Sequence, residues 1–77
     1  MNNEFRELDE MQGAYRAAVE VWIAAIRVEE ALASVNHSVA AVDRWEQAHF
    51  DEEAARSKAK AAKNSYESTL RQKFFDF

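Results

Sequence analysis

The chain has no proline, no cysteine and a single glycine, Gly13, in 77 residues. Proline removes a backbone donor and clashes with the preceding turn, and glycine costs about 1 kcal/mol in a helix interior. Almost nothing here stops a helix. Without cysteine there are no disulfides, no thiolate zinc sites and no thiol nucleophile. Without glycine-rich segments there is no phosphate-cradling loop, no dinucleotide fingerprint and no nucleophile elbow for the serines. The most apolar stretch, residues 17–26, is interrupted by Glu20 and is far shorter than the roughly 20 residues a membrane span needs. The first residues, Met1 to Glu7, are polar and acidic and do not read as a secretory signal. A cytoplasmic protein with no membrane association is expected.

What the sequence does contain is alanine, glutamate, lysine and arginine, which favour helix. Ser34 to Ser38 is the one run of poor helix formers. Asn36 there tolerates a left-handed helix end, and Ser38 can cap the next helix. The fold class predicted is all-α: one helical-hairpin domain, with a first helix over residues 3–34, a turn over 35–38 and a second helix over 39–74. A short turn makes the helices antiparallel neighbours. A rival break lies at Asp51, which could cap a helix beginning with Glu52 and Glu53. In its favour, Val21, Ala25, Val28, Leu32, Val35, Val39 and Val42 keep an unbroken 4-3 spacing through the predicted turn.

On a helical wheel the first helix carries two apolar stripes. Phe5, Leu8, Tyr15, Val19, Trp22, Ile23 and Ile26 lie on one side, and Val21, Val28, Leu32 and Val35 about 150° away. Ala48, Ala55, Ala59, Ala62, Tyr66 and Leu70 give the second helix a single smaller stripe. One hairpin leaves the second stripe of the first helix exposed, and large exposed apolar patches mark interfaces. The expectation is a homodimer closing a four-helix bundle. Val21, Val28, Leu32 and Val35 are the interface candidates, joined by the aromatics Trp45, Phe50, Phe74, Phe75 and Phe77. The tail aromatics are expected to pack on Phe5 and Met1 or on the dimer mate, or else to dock another protein.

Glu46-Gln47-Ala48-His49 is a Glu-x-x-His, whose i, i+3 spacing turns a carboxylate and an imidazole to one side of a helix. Four-helix carboxylate metal proteins use that spacing, with a further glutamate from a neighbouring helix. Glu29 or Glu30 could supply it, so Glu30, Glu46 and His49 are candidate ligands for iron, manganese or zinc, although no cofactor is required. Nucleic acid is not an expected partner. The net charge is −4, and the basic run Arg56, Lys58, Lys60 and Lys63 spreads around its helix. The first 36 residues hold seven acids and three bases, which would suit an acidic regulator of a nucleic-acid-binding protein. No catalytic constellation is present. The function predicted is a non-enzymatic protein-interaction or assembly module.

Overall fold

The computed structural model describes residues 3–33 and 38–75. They form two helices and no strand: α1 over Asn3–Ala33 and α2 over Val39–Phe74, in a hairpin. Ser38 caps α2 as its residue type predicts. Its backbone is extended, and its hydroxyl accepts a hydrogen bond from the Ala41 amide at 3.1 Å. At the other end the Phe75 amide donates to the Arg71 carbonyl at 2.8 Å, and Arg71 and Lys73 place positive charge where the helix dipole favours it. α2 runs unbroken through Asp51, so the rival helix start there does not occur. The Asp51 carboxylate instead accepts a bond from Gln47 at 3.0 Å. The 4-3 spacing through residues 34–37 does not mark a buried stripe, because Val21, Val28, Val39 and Val42 are all exposed; the turn itself lies outside the described residues, as does Val35.

The helices meet along two series with regular 3-4 spacing. On α1 the series is Leu8, Met11, Tyr15, Ala18, Trp22, Ala25, Glu29 and Leu32, all buried or half-buried. On α2 it is Ala41, Trp45, Ala48, Glu52, Ala55, Ala59, Ala62, Tyr66, Thr69 and Lys73, and only Trp45 among them is exposed. This is the seven-residue repeat of a coiled coil. Alanine falls at every seventh residue from 41 to 62, so α2 offers a shallow surface into which the larger α1 side chains sink. Ala59, 2% exposed, is the best-covered of the core residues.

The contact stripe differs from the one expected. Leu8, Tyr15, Val19 and Trp22 turn inward, but Phe5, Ile23 and Ile26, assigned to the same side, are exposed. Leu32, assigned to the outer stripe, is half-buried against α2. A helix packed on one neighbour covers two positions in seven, a narrower strip than the wheel suggests.

The molecule measures 56 × 23 × 12 Å, and its radius of gyration is 17.4 Å. A compact domain of this length would have a radius of about 11–12 Å. The short dimension is one helix thick. No large side chain is fully buried among the described residues, and the exposed apolar residues include Val21, Val28, Phe50, Phe74 and Phe75. A single layer of helices has no interior.

Candidate functional site

Two features of the hairpin have functional content: its uncovered apolar surface and a polar cluster between the helices.

The interface candidates divide as follows. Val21 and Val28 are exposed, at 61% and 54%. Trp45, Phe50, Phe74 and Phe75 are exposed as well, so Phe74 and Phe75 are not buried against Phe5, which is itself exposed. Leu32 belongs to the contact with α2. Val35 and Phe77 lie outside the described residues. A shallow, open depression is lined by the half-buried Tyr15 and Val19 and the exposed Arg16 and Glu20. It lacks the enclosure a small-molecule site requires. Among the described residues no helix is long and apolar enough to cross a membrane.

The polar cluster forms where Glu29 of α1 faces His49 and Glu52 of α2. One ligating atom of each lies within 4.8 Å of the others. His49 Nδ1 is 3.4 Å from Glu29 Oε1, and its Nε2 is 3.3 Å from Glu53 Oε1, one turn along α2. The two ring nitrogens thus address carboxylates on different helices. An imidazolium can donate to both at once; the neutral ring can donate to one only. Trp22 Nε1 donates to Glu52 Oε1 at 3.0 Å and fixes that carboxylate across the helix interface. Ligands about 2.0–2.1 Å from a tetrahedral zinc ion sit roughly 3.4 Å apart. The Glu29–His49 spacing is of that size. A ligating histidine generally donates its other nitrogen to a carboxylate, and Glu53 stands in that position.

Of the sequence-derived ligand candidates, His49 is in this cluster, and Glu29 joins it. Glu30 and Glu46 are exposed and are not part of it. Glu52 was not among the candidates. Its signal was its place at a core position of the α2 repeat, four residues from Ala48 and three from Ala55. An acid in an apolar seam is held there by a partner, here the indole of Trp22.

Charge pairing knits the remaining surface. Lys73 Nζ is 3.2 Å from Glu7 Oε2 between the helices, as antiparallel pairing predicts. Arg56 lies 3.8 Å from Glu53 and Lys63 3.8 Å from Glu67, so two members of the basic run turn toward acids of their own helix. No protein-family model, curated protein or solved structure matches the chain.

Proposed function

We propose that the protein is a non-catalytic helical assembly module that acts in the cytoplasm. It pairs with a second copy of itself to close a four-helix bundle, and it offers its exposed aromatics to a protein partner. The observation that carries this reading is the single-layer shape. A hairpin 12 Å thick cannot shelter Val21, Val28, Ile23, Ile26 and Phe50, and a second layer can. The accessible surface of 6102 Å² exceeds by about 1,300 Å² the roughly 4,800 Å² expected of a compact chain of this size. Losing that excess from each of two copies would bury about 2,600 Å², within the range of obligate homodimers. Sedimentation equilibrium at micromolar concentration tests the reading. Twice the chain mass is the expected result, and a well-folded monomer across the range overturns it.

The cluster of Glu29, His49 and Glu52 supports a second reading, a divalent-metal site of the iron, manganese or zinc class. The Nδ1 atom of His49 and the two carboxylates would ligate, while Glu53 and Trp22 would orient His49 and Glu52. Calorimetric titration with zinc, manganese or ferrous ion tests it. Stoichiometric binding that His49→Ala abolishes would support the site, and no heat above dilution for any of the three ions would retire it.

A further inference from the structure

The choice of contact face between copies can be read from α1. Offset by one residue from the series that meets α2 runs a second series at the same 3-4 spacing: Ala14, Ala17, Val21, Ala24, Val28 and Ala31. All six are exposed, and no acid or base occupies this series from Ala14 to Ala31. An offset of one residue turns the second series by about 100° from the first. That is close to the right angle at which a helix in a square four-helix bundle meets its two neighbours. The opposite flank of the hairpin also carries exposed apolar residues, Ile23 and Ile26. There, however, Arg16 and Glu30 lie in the same α1 series, whereas the α1 series from Ala14 to Ala31 holds no charge. Covering that side of α1 would strip water from both charges, which is expensive unless each finds a partner.

We infer that a second copy of the chain docks antiparallel along the Ala14–Ala31 series, α1 against α1, about a two-fold axis midway between Val21 and Ala24. This inference rests on the self-association proposed above and specifies its geometry. Antiparallel pairing about that axis sets Val21 against the partner's Ala24 and Ala17 against the partner's Val28, and each layer repeats by symmetry. Every valine meets an alanine, so the layers have equal volume and the helices can approach closely. A parallel pair would stack valine on valine and alanine on alanine, leaving alternate bulges and gaps.

The flanking charges agree. Glu20 and Arg27 occupy equivalent positions one residue before Val21 and Val28, both exposed. In an antiparallel pair, positions of this kind face one another across the seam. Glu20 then lies against the partner's Arg27, and Arg27 against the partner's Glu20. In a parallel pair they would lie on opposite sides and never meet. The surplus surface of about 1,300 Å² per copy is sufficient for such an interface. The contact also leaves Glu29, His49 and Glu52 on the far flank, so any metal bound there would sit in two separate sites.

The native chain has no cysteine, so introduced thiols report cleanly. Ala17→Cys with Val28→Cys should give a covalent dimer on mild oxidation. Ala17→Cys alone should not, because antiparallel docking separates the two introduced thiols by about 16 Å, beyond disulfide reach. Glu20→Arg should raise the dissociation constant about tenfold, by exchanging two attractive pairs for two repulsive ones. Adding Arg27→Glu should restore it, since both pairs are then reversed. Circular dichroism checks that each variant stays helical. A dimer that cross-links when Ala17→Cys is the only substitution, or whose association ignores the charge exchange, overturns this geometry and leaves self-association standing. A wild-type chain that stays monomeric overturns both.

Discussion

Gly13 shows how one residue's context sets the sign of a change. It lies inside α1 on the side away from α2, with nothing within 4 Å of where a β-carbon would be. Its backbone freedom is lost on folding and nothing occupies the space gained. Gly13→Ala should therefore stabilise the protein by about 0.5–1 kcal/mol in urea denaturation; a loss of stability would mean that the glycine contacts something in the assembled protein. Trp22 makes the contrasting case. The ring is half-buried and its Nε1 donates to Glu52. Trp22→Phe keeps most of the packing and removes that bond, and should cost about 1 kcal/mol, with Trp45 still present as a fluorescent reporter. No change in the denaturation midpoint would show that water replaces the indole at no expense. Trp22 on the inner face was legible from its spacing with Leu8 and Tyr15. Its carboxylate partner was not: the position of Glu52 in the alanine repeat of α2 marks it as facing α1, but which α1 group it meets depends on the register of the two helices.

At the level of the helices, the alanine series of α2 sets the spacing of the hairpin. Ala41, Ala48, Ala55 and Ala59 are all buried, and each supplies a single methyl where a coiled coil more often has leucine. Such a seam gains little per residue from apolar burial and depends on close approach. Ala59→Leu should therefore cost about 1–3 kcal/mol by overpacking, although leucine is the more hydrophobic residue. Ser57→Leu, on the exposed side two residues away, should stay within about 0.5 kcal/mol of the parent. Equal effects at the two positions would place the seam elsewhere. The alanine stripe was visible in the sequence from Ala48 to Ala62, because small residues at 3-4 spacing have few other causes. Which α1 residues fill it was harder to see. Ile23 and Ile26 are as apolar as Leu8, and only packing against a real neighbour separates them.

For the molecule as a whole, the quantity that matters is how much surface a single layer exposes. If a second copy supplies the missing layer, folding and association are one process, and the thermal midpoint depends on concentration. With an unfolding enthalpy of about 0.7 kcal/mol per residue in each of two chains, a tenfold rise in concentration should lift the midpoint by about 5 °C. A midpoint independent of concentration would show that the hairpin is stable alone despite its thinness. That the first helix has more apolar surface than one neighbour covers was readable from its two apolar stripes. The angle between them was not: the wheel put it near 150°, whereas the one-residue offset of the two series in α1 makes it about 100°.

By itself the sequence determined that the chain is helical, that it bends near its middle and that its halves run antiparallel. Those outcomes follow from local causes: the scarcity of helix breakers, one capping serine and a turn too short for anything but antiparallel neighbours. Only the tertiary structure decided which apolar residues are covered and which acids gather around His49. Burial and polar clustering depend on where the second helix lies in space, and a helix with apolar side chains over most of its circumference gives no local rule for choosing the side that faces it.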